Sequence, residues 1–246
     1  MWSLLSEIED STKSNTFANL KTVSSKKIFA NFAFKFCSIK KIQLINTFSI
    51  LNMEYEKLNK IILERLKENL PEHLSYHSVM HVKDVIDSVE KIAKSEKVNE
   101  EDLLLLKTAA LFHDTGFLYG SKDHEEKSCE IAEEYLSDYG YSESQIKKIK
   151  GMIMATKIPQ TPHNHLEQIL ADADLDYLGR DDFFVIGDKL FEELSMFGIV
   201  NSERDWNLLQ EKFLESHHYF TTTAISSRNQ KKQDNLNIIK TKLKNY

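Results

Sequence analysis

At 246 residues, 41% hydrophobic and 28% charged, the chain is long enough to bury one sizeable core. Seven glycines and three prolines are few for a many-turned β architecture, and a net charge of −6 argues against a nucleic-acid-binding surface while leaving room for a nucleotide site. Cys37 and Cys129 stand far apart with no CxxC pair, so no disulfide framework or thiolate zinc site is expected. No apolar run approaches the ~20 residues of a membrane span. Glu7, Glu9 and Asp10 precede any apolar run, unlike a secretory signal. A reducing, cytoplasmic setting is the expectation.

Residues 1–52 differ from the remainder. They carry seven lysines against three acids, a net +4, which leaves −10 of the total −6 for residues 53–246. From Ser11 to Asn52 there is no acidic residue and no sustained apolar period. A transit peptide would favour arginine, and none occurs before Arg65. A basic arm for a membrane or partner is a second reading. The favoured one is a disordered or non-native extension, with the working chain starting at Met53 and residues 53–246 forming one domain.

From there helices are predicted over 54–69, 77–95, 101–114, 124–139, 143–155, 165–178, 182–197 and 203–218, with a weaker one over 232–244. In the first, Leu58, Ile61, Ile62 and Leu66 keep helical spacing and Pro71 stops the pattern. The second opens with YHSVMHVKD, where His77 and His81 stand four apart on one face. The third, LLLLKTAALFHD, is apolar almost all round and belongs at the centre of a bundle. It closes on His113 and Asp114. A carboxylate is costly to bury alone, so either this end reaches the surface or the pair holds a cation. Gly116 then reads as a C′ glycine. His124 and Glu125 open the fourth helix.

In LEQILADADLDYL, Leu166, Leu170, Ala173 and Tyr177 form the inward stripe with Asp174 among them, while Asp172 and Asp176 are expected on a solvated face. Trp206 keeps helical spacing with Leu209 and Phe213 and reads as core. His73, His163 and His165 read as surface residues. His217 and His218 end the 203–218 helix, where a cationic imidazole suits the dipole; alternatively His218 closes a pocket wall. Together His81, His113, Asp114 and Asp174 offer imidazole and carboxylate ligands suited to a divalent ion such as Mn, Mg, Zn, Co or Fe.

The order His81, His113-Asp114, Asp174 resembles the H…HD…D signature of the HD superfamily of metal-dependent phosphohydrolases. HVKDV is similar to its first motif, LFHDTG to its second and ADADLDYLGR to its third, across about residues 55–220. YHSVMHVKDV also resembles the first motif of class I cyclic-nucleotide phosphodiesterases, which implies His77 as general acid and His81 as ligand. The resemblance implies an all-α, HD-domain-like bundle and hydrolysis of a small phosphorylated substrate, a nucleotide, by metal-activated water that Asp114 orients. Lys122, His124, Glu125, Arg180 and His218 are candidate substrate contacts, the two cations for phosphate. Phe117 stands where the phosphodiesterases carry a further histidine, and Ile153–Thr156 offers none where two-metal relatives do, so one ion is expected. No nucleic-acid or membrane partner is expected. The rival reading is a non-catalytic metal- or nucleotide-binding sensor, against which the intact ligand set argues.

Overall fold

The computed structural model describes residues 49–246, so the reading of residues 1–48 lies outside the described residues. One compact unit runs Leu51–Tyr246. Among the described residues every regular element is helical, as the scarcity of turn residues implies: α1 (49–69), α2 (Val79–Ser95), α3 (Glu100–Phe112), α4 (His124–Asp138), α5 (Glu143–Met154), α6 (His165–Asp174), α7 (Phe183–Met196), α8 (Glu203–Ser216) and α9 (Thr222–Leu243). Short 3-10 turns follow α3 (Thr115–Tyr119) and α6 (Asp176–Gly179).

Local chemistry explains the helix starts. Asn99 accepts the Asp102 N–H at 2.9 Å, Ser142 and Gln145 form a reciprocal capping box, and Asn164 and Ser202 cap α6 and α8. α3 is central. Leu104, Leu105, Leu106, Ala109, Ala110, Leu111 and Phe112 are all buried, and α3 packs on α2, α4, α5 and α6. α1 buries Tyr55, Leu58, Ile62 and Leu66, with the Arg65 guanidinium donating to the Tyr135 hydroxyl of α4 at 2.7 Å. A second apolar cluster joins Tyr177, Leu178, Phe183, Leu214, Leu236 and Ile239 from the turn after α6 and from α7, α8 and α9.

Four expectations need correction. α1 reaches back to at least residue 49, so Met53 falls inside a helix. α2 begins at Val79 behind the extended Ser78, which leaves His77 just ahead of the helix. Gly116 does not take a left-handed conformation; it sits in the 3-10 turn, where an added Cβ would lie 2.0 Å from the backbone oxygen of His124. Its missing side chain lets the start of α4 approach. Finally, α9 runs Thr222–Leu243, ten residues longer at its start than the predicted 232–244. That half is too polar to show an apolar period and is held by tertiary contacts, including the Thr223 N–H to Glu96 at 2.8 Å.

A chain shortened to begin at Leu51 is expected to keep its helical circular dichroism and to melt within ~3 °C of the full chain, below ~1 kcal/mol for a domain of this size. A much larger drop would show that residues 1–50 pack on the core.

Candidate metal centre

α2, α3 and α6 deliver their polar residues to one buried point. His81 faces inward from the first turns of α2, His113 and Asp114 follow the last residue of α3, and Asp174 is the last residue of α6. His81 Nε2 lies 3.1 Å from Asp174 Oδ1 and 3.4 Å from Asp114 Oδ2. His113 Nε2 lies 3.1 Å from Asp114 Oδ2, 3.4 Å from Asp174 Oδ1 and 3.3 Å from His81 Nε2. Atoms each ~2.1 Å from one centre in a tetrahedral arrangement are separated by roughly these distances. The ligand atoms of His81, His113 and Asp174 all lie within 4.8 Å of one another, and Asp114 joins them through the two imidazoles.

Proton positions favour a cation here. His113 Nδ1 is 2.8 Å from the Ala110 carbonyl, which can only accept, so this nitrogen carries hydrogen and the neutral ring turns the Nε2 lone pair towards the cluster. Asp114 Oδ2 is buried with no hydrogen-bond partner. Lone pairs facing lone pairs repel unless a positive charge lies between them. Without a metal that charge would have to be a proton: burial alone would lower the His113 pKa, yet Asp114 and Asp174 raise it well above its ordinary value. Burial alone would raise the pKa values of the two carboxyls, but the surrounding imidazoles hold both below it. The donor set fits a divalent ion.

His77 sits beside this cluster. Its Nδ1 pairs with Glu193 Oε1, and the other carboxylate oxygen accepts the backbone N–H groups of Tyr76 at 2.9 Å and His77 at 3.1 Å. Burial alone would lower the His77 pKa; Glu193, with Asp114 and Asp174 behind it, raises it above the ordinary value. The ring stacks on Phe117 at 4.0 Å between centroids. Phe117 in turn contacts His124, whose Nε2 lies 3.7 Å from Asp114 Oδ1 and 3.4 Å from Glu125 Oε1. The sequence reading missed Glu193. Its signal was present: Phe183, Ile186, Leu190 and Glu193 share one stripe of α7, and the acid among them is 1% exposed.

The HD domain family matches residues 79–176, a span from the start of α2 to just past Asp174 that includes His81, His113, Asp114 and Asp174. Residues 79–176 carry an HD domain. A crystal structure of a predicted HD superfamily hydrolase from an uncultured Thermotogales bacterium superposes with a TM-score of 0.52. The match covers 76% of this chain and 91% of that one at 19% identity, a likeness of fold. No curated protein matches the sequence.

The fold brings His77, His124 and Glu125 to the cluster but not the other expected contacts. Arg180 is held by Asp84 at 2.8 Å and by Asp182 at 2.6 Å, with Asp176 at 3.6 Å, so its guanidinium is already committed to carboxylates. Lys122 is exposed on a separate shallow surface, and His218 lines a small cavity with Gln160 and Phe220. Asp172 and Asp176 are not solvated as expected. Asp172 accepts the N–H groups of Phe220 at 2.9 Å and Thr221 at 2.7 Å, and Asp176 binds Arg228 Nε at 2.6 Å. α9 folds over both, a contact that helix periodicity cannot show. Trp206 is buried, as expected of core, and also forms a wall of the main cavity. This space of about 400 Å³ is lined at one end by His77, Asp114, His124, Glu125 and Asp174 and elsewhere by residues of α7 and α8.

His113→Ala and Asp114→Ala are each expected to lose most bound divalent metal by elemental analysis while keeping the helical circular dichroism signal. Unchanged metal content in both would remove the assignment.

Proposed function

We propose that the chain is a metal-dependent phosphohydrolase that cleaves a phosphate ester, a nucleotide ester in the reading favoured by its motifs. The observation that carries this is the convergence of His81, His113 and Asp174, with Asp114 against both imidazoles, at one end of a cavity and with a carboxylate-held imidazole beside them. His81, His113, Asp114 and Asp174 would hold the cation, which supplies Lewis acidity and makes water nucleophilic near neutral pH.

The chain's own groups divide the remaining work. Asp114 spans two environments: Oδ2 meets the ligand imidazoles, while Oδ1 faces His124 and can accept a hydrogen bond from the attacking water. His77, kept cationic by Glu193, donates a proton to the departing oxygen. Glu193 is a positioning residue; it fixes the ring through Nδ1 and leaves Nε2 to serve as the acid. His124 and Glu125 border the position of the phosphoryl group. The aromatic rings of Tyr177, Phe183, Trp206 and Phe213 line the cavity and could receive a nucleobase, which supports the nucleotide reading. The complete ligand set and the attached acid favour an enzyme over a non-catalytic sensor. A cytoplasmic setting belongs to the same reading, supported by Cys129, buried as a free thiol.

His77→Ala should retain metal and lose ~10²- to 10⁴-fold in rate on esters with poor leaving groups, but far less on p-nitrophenyl esters, which need little protonation. Equal losses on both, or loss of metal, would refute the acid role.

Because His77 is raised above its ordinary pKa of about 6.5, it stays protonated above that pH, and the alkaline limb of kcat/KM should lie there. Glu193→Gln removes the charge that raises it and should move that limb to lower pH. An unmoved limb would dissociate Glu193 from the acid.

A further inference from the structure

The cavity changes character behind the ligand cluster. Its end at the ligand cluster is polar and acidic, with Asp114, Glu125 and Asp174 set against His77 and His124. Its far walls are hydrocarbon: Leu190 and Leu194 come from α7, and Trp206, Leu209, Phe213 and Leu214 from α8. Among what these two helices contribute, Gln210 and the indole N–H of Trp206 are the polar exceptions. Among the described residues that line the space there is no lysine and no arginine. Lys189, Arg204 and Lys212 belong to the same two helices, yet all three are exposed away from it. Arg180, a cation close in sequence to Asp174, is held by Asp84 and Asp182.

Charge accounting then limits the ligand. A divalent ion would balance Asp114 and Asp174, and a protonated His77 balances Glu193. Glu125, 7% exposed beside His124, adds a further acidic group at that end, and no lysine or arginine lines the space to offset it. One phosphoryl group can be met by the ion and His77. A second or third phosphate would face Glu125 or hydrocarbon, and a buried charge without a partner is strongly disfavoured. An uncharged apolar group between α7 and α8, by contrast, gains from leaving water.

On the phosphohydrolase reading, we infer that the site takes esters with a single phosphorus whose alcohol portion is uncharged and largely apolar, and that it rejects polyphosphates. Hydrolysis breaks the bond between phosphorus and the alcohol oxygen and forms one to the oxygen of water. His77 gives its proton to the alcohol and regains one from that water; the other stays with the released phosphate. The apolar group can come from an aryl or prenyl alcohol or from a nucleoside with its base against the aromatic walls. The shared chemistry is one phosphate joined to a bulky, uncharged body.

The test is phosphate release by the full-length protein with Mn²⁺ on five substrates: 1-naphthyl phosphate, geranyl phosphate, adenosine 5′-monophosphate, glycerol 2-phosphate and adenosine 5′-triphosphate. At least one of the first three should exceed glycerol phosphate by ~10-fold or more in kcat/KM, mainly through KM, with the triphosphate poorest. Which of them leads identifies the source of the apolar group. Leu209→Glu places a charge on a partly exposed stretch of the wall, where folding is least at risk. It should reduce the preference for the best apolar ester over glycerol phosphate several-fold. If glycerol phosphate or the triphosphate is cleaved as well as the best apolar ester, or if Leu209→Glu leaves the preference intact, the inference falls while the hydrolase reading stands. If none of the five is cleaved with Mn²⁺, Mg²⁺, Zn²⁺, Co²⁺ or Fe²⁺, the hydrolase reading fails and the inference with it.

Discussion

Two carboxylates, Asp114 and Asp174, stand at the ends of apolar helices inside a helical bundle, and their burial is the constraint that organises the rest. An unpaired buried carboxylate costs several kcal/mol. Here each oxygen that faces inward meets imidazole nitrogens within 3.4 Å, and the His113 ring is fixed by the Ala110 carbonyl so that its free lone pair joins the same point. Such a set is balanced by a cation and frustrated without one. The packing of α3 against α2 and α6 therefore does more than fill a core; it brings the donors of three separate segments to one centre.

The acids of α6 and the turn after it show how one short stretch serves three purposes. α6 ends at Asp174 and a 3-10 turn takes over, so Asp172, Asp174 and Asp176 leave the backbone in different directions. Asp172 accepts N–H groups at the start of α9, Asp174 reaches the ligand cluster, and Asp176 pairs with Arg228 of α9. Asn235 of α9 adds a bond to the Leu178 carbonyl at 3.0 Å. α9 thus clamps the segment that carries Asp174. It shapes the site without lining it.

The opposite side is set by α7. Glu193 holds the backbone of Tyr76 and His77 as well as the His77 ring, so the residues ahead of α2 are tied across a gap of more than a hundred positions in sequence. The same helix supplies Leu190 and Leu194 to the cavity wall. One face of α7 therefore couples the orientation of the proposed acid to the shape of the space where a substrate would lie.

Much of this was legible in one dimension. The all-round apolar character of α3 placed it at the centre, and a histidine and an aspartate closing such a helix required either a surface position or a cation, because burying charge is costly whatever the fold. The stripe that carries Asp174 and the motif order pointed to the same centre, whereas His77 reaches it from ahead of α2 and not along a shared helix face. What only the tertiary structure decided depends on who packs against whom. Asp172 and Asp176 read as solvated until α9 covers them; Arg180 reads as a phosphate ligand until Asp84 and Asp182 take its guanidinium; Gly116 reads as a cap until His124 approaches its bare Cα. Glu193 and the apolar depth of the cavity likewise come from helices far along the chain. Periodicity reports which face of a helix turns inward, since that follows from 3.6 residues per turn. It cannot report the partner that meets that face, because long-range pairing is fixed by packing and charge balance across the whole bundle.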